Sequence, residues 1–101
     1  MSLKKQYSEK KPVCKVTFVL TKNIADSASK VALAGDFNDW DTKSIPMKKL
    51  KSGEFSVSVD LKIGREYQFK YLIDAKEWLN EEAADKLVIN EFHGENSVVV
   101  V

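Results

Sequence analysis

A single cysteine, Cys14, and a single histidine, His93, far apart in the chain, remove two kinds of construction at once. One cysteine cannot form an internal disulfide, so the fold must hold by its core, and a free thiol suits a reducing compartment. A cytoplasmic location is the expectation. A zinc site needs three or four Cys, His or carboxylate ligands at set spacing, and no such cluster is present, so no metal is expected. Nor is there a G-x-S-x-G elbow, a glycine loop to cradle phosphate or a dinucleotide fingerprint. Nucleophilic, phosphoryl and hydride chemistry therefore lack their parts, and no cofactor is implied. Charge of one sign is missing too: 16 Lys and Arg against 15 Asp and Glu leave a formal charge of +1. That balance offers no field for nucleic acid or for an anionic membrane surface. No apolar run approaches the roughly 20 residues of a membrane span, and the opening "MSLKKQYSEKKP" lacks the apolar stretch of a signal peptide. The only tight acidic group is Glu81, Glu82 and Asp85, whereas a glycosidase needs two carboxylates facing each other across a cleft. His93, in "EFHGEN", reads as a loop residue rather than a general base. No enzymatic activity is expected.

What the chain does have is hydrophobic alternation. With 101 residues and 44% hydrophobic content it makes one domain with a modest core. Residues 1–12, lysine-rich and ending at Pro12, read as a flexible tail, and residues 13–101 as the folded domain. Cys14, Val16, Phe18 and Leu20 alternate with polar residues, the period of a half-buried strand, which makes Cys14 core rather than nucleophile. "NIADSASK" reads as a loop and "KVALAG" as a strand ending at Gly35. In "EFSVSVDL", Phe55, Val57, Val59 and Leu61 alternate strictly with Ser56, Ser58 and Asp60; the preceding "PMKKLKSGE" supplies a short strand and a Ser-Gly turn, completing a hairpin. In "EYQFKYLID", Tyr67, Phe69, Tyr71 and Ile73 point inward, which sends Gln68, Lys70 and Leu72 outward. "NEEAAD" fits one helical turn, "KLVI" a brief strand and "NSVVVV" a closing strand. About seven short antiparallel strands with no long helical period predict an all-β chain, an immunoglobulin-like two-sheet β-sandwich.

Two motifs then stand out, "GDFNDW" at Gly35 to Trp40 and "YQFKY…D…W" from Tyr67 to Trp78. In that order and spacing they resemble the glycogen-binding module of the AMP-activated protein kinase β subunit and the early-set domains at the N-terminus of isoamylases and glycogen branching enzymes. The resemblance covers roughly Lys30 to Val101. It implies a non-catalytic module whose surface binds α-1,4-linked glucan such as glycogen, starch or malto-oligosaccharides. The family's two Trp platforms, strand Lys and Asn just before the last strand fall here on Trp40, Trp78, Lys70 and Asn96. Phe92 stands where the family has an aliphatic contact in the last loop, and it has two readings, a third platform or an inward-packed residue. The chain departs from the pattern at "DAKEW", with Ala75 in place of a turn glycine and one extra residue before Trp78, and at "WLNEEAADK", which lacks the usual Asp-Pro.

The residue types agree with that ligand on independent grounds. Glucose has a face of C–H bonds and a rim of hydroxyls, so a binder needs flat aromatic platforms together with donors and acceptors. Lys70 only donates, whereas an Asn96 amide both donates and accepts, as vicinal hydroxyls do. Taken alone, a Trp in a small sandwich is more often core than platform, and one slip of register would bury Trp78. Two functions follow. The chain is a glucan-binding module, or it is a structural or protein-interaction domain that braces or recruits a separate glycan-metabolising enzyme, which would be another polypeptide.

Overall fold

Period-two patterning becomes two packed antiparallel sheets in the computed structural model, which describes residues 2–21, 28–91 and 94–101. In chain order the strands are β1 (Ser2–Tyr7), β2 (Val13–Leu20), β3 (Val31–Gly35), β4 (Lys48–Lys49), β5 (Phe55–Lys62), β6 (Glu66–Ile73), β7 (Glu77–Leu79), β8 (Lys86–Ile89) and β9 (Glu95–Val100). One sheet has the order β1-β2-β5-β4 and the other β3-β6-β9-β8, with β7 paired to β6. The architecture is the expected immunoglobulin-like sandwich. Among the described residues no helix is long and apolar enough to cross a membrane.

The alternation read from the sequence places the core. Cys14, Val16, Phe18 and Leu20 of β2 and Phe55 and Leu61 of β5 meet Leu33 of β3, Phe69 and Tyr71 of β6 and Val99 of β9. The Phe18 and Phe69 rings lie 5.0 Å apart at 69°, an edge-on pair worth about 0.5–1.5 kcal/mol beyond its buried area. Residues 45–49 close one side of the sandwich. The Leu33 and Met47 amides donate to the Ile45 and Val31 carbonyls at 2.9 and 2.8 Å, and then β4 joins β5 in the other sheet.

Two strands exceed the expected seven. The lysine-rich segment read as a tail is β1, paired along β2 from Ser2↔Val19 to Tyr7↔Cys14. Its Leu3 packs against the core, and Lys5 Nζ reaches Asp85 Oδ2 at 2.7 Å, across to the other sheet's edge. Lysine on an edge strand discourages further pairing, so the composition of a solvated tail also suits a protected edge. The other addition, β7, spans three residues, too few to display a period. "NEEAAD" makes a turn with Ala84 N–H on the Glu81 carbonyl at 3.3 Å, not a helical turn. Most of the loop expected at "NIADSASK", as well as Phe92 and His93, lies outside the described residues.

One group of buried apolar residues stands apart from the main core. Ala34, Leu72 and Val98 are buried but not part of it. In register they sit opposite Lys70, Trp78 and Gln68, respectively. They form an apolar underlay for whatever those three residues support.

Candidate functional site

The site begins at Gly35. A Cβ there would run into the Gln68 carbonyl oxygen and into Phe69 Cβ, so β3 and β6 approach this closely only over glycine. Beyond it a 3-10 turn, Asp36–Asn38, redirects the chain. Asn38 holds the turn from within. Its Oδ1 accepts the Gly35 N–H at 2.9 Å, and its Nδ2 donates to the Asp41 carbonyl at 3.0 Å and to Ser44 Oγ at 2.9 Å. The Trp40 N–H closes back on the Gly35 carbonyl at 2.9 Å. Asp39 and Trp40 both adopt left-handed backbone, with φ of 52° and 58°. That conformation costs an ordinary L residue about 1–2 kcal/mol. It persists because the surrounding hydrogen bonds over-determine the loop, and strain of this kind clusters where a side chain is being aimed. Asp36 completes the arrangement: Oδ1 accepts the Trp40 indole N–H at 3.2 Å, and Oδ2 accepts the Gln68 amide at 2.9 Å.

The turn that carries Trp78 has the same character. Asp74 and Ala75 have φ of 52° and 58°, and the Lys76 N–H donates to the Ile73 carbonyl at 3.0 Å. This is the type I′ pattern that matches strand twist, and Lys76 is the extra residue before β7. Ala75 thus adopts a left-handed conformation that glycine would take without steric cost. Asp74 anchors the turn by accepting the Lys30 and Ser29 amides at 3.0 and 2.8 Å; these bonds, Lys30's foremost, hold its carboxyl below the usual carboxylate range. Register then places Trp78 opposite Leu72 on the outward face, 46% exposed. The Trp40 and Trp78 rings lie 6.5 Å apart at 66° to each other. Trp40 is half-buried, and neither Trp belongs to the core.

Between and beside the rings lies a polar floor. Lys70 of β6 lies on the outward face but is half-buried there, and its Nζ donates to the Glu95 carbonyl at 3.1 Å. Asn96, at the start of the "NSVVVV" strand, lies in β9 opposite Val88 and is only 9% exposed, more enclosed than a rim residue that meets a ligand through open solvent. Its enclosure comes from two amides: Oδ1 accepts from Asn90 Nδ2 at 3.1 Å, and Nδ2 donates to Gln68 Oε1 at 3.0 Å. Trp40, Lys70, Trp78 and Asn96 line one open groove together with Gln68 and Ile89. The fifth expected site residue, Phe92, is outside the described residues.

Gln68, Asp36 and Ile89 were not singled out from sequence. Gln68 had a signal, since it shares the outward face with Lys70 two residues away. Ile89, 84% exposed, had none, because β8 is too short to display a face.

The acidic group lies elsewhere and is dispersed. Glu81 is 2% exposed, accepting the Tyr71 hydroxyl at 2.7 Å and the Ala83 amide at 2.9 Å. Burial, and then the charge of Glu81, push the Tyr71 phenol far above its ordinary range. Asp85 is held by Lys5 and by the Val100 amide at 2.7 Å. Glu82 is exposed.

A family model described as carbohydrate-binding module 48 (isoamylase N-terminal domain) matches residues 13–92, which includes both Trp positions and Lys70. No curated protein matches the chain.

Proposed function

The chain belongs to the carbohydrate-binding module 48 (isoamylase N-terminal domain) family, a family of modules that bind carbohydrate, and we propose that its own ligand is α-1,4-linked glucan such as glycogen, starch or malto-oligosaccharide. The observation that carries this reading is the pair of indoles, 6.5 Å apart and tilted by 66°, above a floor of amides and one ammonium. A straight glycan would use coplanar platforms. A curved α-1,4 chain turns successive rings through an angle, and two tilted faces follow that turn while excluding water from the sugars' C–H faces.

The polar rim has limited capacity left for hydroxyls. Asn96 already spends one N–H on Gln68 and one lone pair on Asn90, which leaves one donor and one acceptor for a vicinal diol. Lys70 gives one N–H to the Glu95 carbonyl and keeps two. Trp40 has no N–H left to offer and acts through its face. Base stacking on aromatic side chains, about 1–3 kcal/mol per ring, is a loose upper guide for sugars. Two rings, less the cost of association, give dissociation constants of roughly micromolar to millimolar. In this reading the module acts by binding rather than catalysis, and it acts in the cytoplasm, where a free buried Cys14 stays reduced.

A second reading draws on the exposed Leu87 and Ile89 of edge strand β8, apolar surface suited to contact with a separate glycan-metabolising enzyme. Retention on amylose or glycogen resin separates the two. The glucan reading expects retention that soluble maltoheptaose competes away. Passage of the folded protein through both resins would refute it.

A further inference from the structure

We propose that Asp36 is a positioning residue: its carboxylate fixes the plane of the Trp40 indole and thereby sets the angle between the two platforms. The ligand part of this proposal rests on the glucan reading above; the geometric part does not.

The argument begins with the sheet. Pairing of β3 with β6 runs from Val31↔Ile73 to Gly35↔Phe69 and stops there, because the chain turns away after Gly35. The next amide of β6, that of Gln68, loses the strand on that side. Asp36 Oδ2 takes the vacated place at 2.9 Å, so a side chain continues the ladder where the backbone has left it. This bond ties the carboxylate to β6, an interior strand flanked by β3 and β9. The second oxygen, Oδ1, is then aimed at the Trp40 indole N–H, 3.2 Å away. Among the described residues no ammonium or guanidinium forms an ion pair with Asp36, so both oxygens serve this bridge.

The backbone alone cannot set the ring. A φ of 58° at Trp40 directs the Cα–Cβ bond but leaves both side-chain torsions free, and Trp40 is only half-buried. The remaining restraint is the edge contact with Trp78. Asp36 supplies a fixed acceptor four residues before the ring, between Gly35 and Phe37 in the "GDFNDW" run.

Two coupled indoles report their mutual angle directly. In the free wild-type chain the Trp40 and Trp78 transitions should give an exciton couplet in circular dichroism, which Trp78→Phe abolishes. Asp36→Ala should lose most of that couplet and raise the maltoheptaose dissociation constant about threefold to tenfold, the equivalent of one hydrogen bond. Asp36→Asn keeps an acceptor for only one of the two N–H groups and should fall between. Thermal unfolding establishes that each variant is folded, and if the alanine variant does not fold, the asparagine variant carries the test. A wild-type couplet in the folded variants overturns the proposal, as does a lost couplet with unchanged affinity. A wild-type chain that ignores maltoheptaose overturns the glucan reading instead, and the couplet alone then decides on Asp36.

Discussion

Replacing Trp78 by alanine separates a contact surface from a structural residue, because the two roles predict different numbers. A Trp side chain that is wholly enclosed buries roughly 150–250 Å². Trp78 is 46% exposed, so about half of that area rests on the sheet and on Trp40. At about 25 cal/mol per Å², the lost burial is worth roughly 2–3 kcal/mol. An open site leaves no closed cavity, which keeps the cost below the roughly 3–5 kcal/mol of truncating a core aromatic. Against a total of about 5–15 kcal/mol for a domain of this size, the variant stays folded, with a midpoint lower by roughly 8–24 °C. Binding should suffer far more in proportion. Loss of one platform predicts a maltoheptaose affinity reduced about tenfold or more, read by calorimetry or by the fluorescence of Trp40. At Trp40 the backbone enters as well: Trp40→Gly releases the left-handed strain at φ 58°, which offsets part of the lost contact, so its stability should lie closer to wild type than that of Trp40→Ala. Wild-type affinity in a folded Trp78→Ala protein would refute the platform argument. A stability loss in the core range would show that the ring is structural.

Three further outcomes follow from the same geometry. Ala75→Gly removes a left-handed alanine at φ 58° and should raise the unfolding free energy, read by urea denaturation, by up to about 1 kcal/mol, less the entropy that glycine adds to the unfolded chain; a clear fall would contradict the type I′ assignment. Lys70→Ala and Asn96→Ala should each weaken maltoheptaose binding by about 1 kcal/mol, but only Asn96→Ala should also cost about 1 kcal/mol of stability, since it removes one bond from each of Gln68 and Asn90; equal midpoints would refute the floor network. For Asp85, burial raises its carboxyl's pKa, but the Lys5 ammonium and the Val100 amide outweigh it and leave the carboxyl below the usual range. A carboxyl depressed in the folded state stabilises fully above its unfolded value of about 4 and loses that contribution as pH falls through the folded value. Asp85→Asn should therefore flatten the acid limb of stability against pH, by less than about 1 kcal/mol for so exposed a pair, and an unchanged acid limb would count against it.

How much of this was legible in one dimension depends on what each feature needs. The faces of β2, β5 and β6 need only a period of two, and the sequence displays it over eight residues in each. Strand β1 needs a neighbour: its lysines are indistinguishable from a tail until the unpaired edge of β2 and the Asp85 carboxylate are in place. The groove shows the same division. Lys70 follows from alternation, and the two Trp from their motifs. The enclosure of Asn96 does not follow, because the amides that cover it come from β6 and from the residue after β8, and only the register of β9 between them brings the three together. Asp36 is a further step removed, for its role depends on where one strand stops relative to another.

The residues that break local preference also share a location. Among the described residues, every non-glycine residue with positive φ (Asp39, Trp40, Asp74 and Ala75) lies in the turn that ends at one platform or in the turn that leads into the other. A sequence optimised for folding alone would place glycine or asparagine at such positions. A tryptophan and an alanine there mean that the sheet and its anchoring side chains, Asn38 and Asp74, bear the conformational cost, and that cost is concentrated in the two turns beside the indole pair. On the proposed glucan reading, strain so placed serves preorganisation: rings already set at 66° give up little further freedom when a weakly held oligosaccharide arrives, and each contact it makes then counts more fully toward affinity.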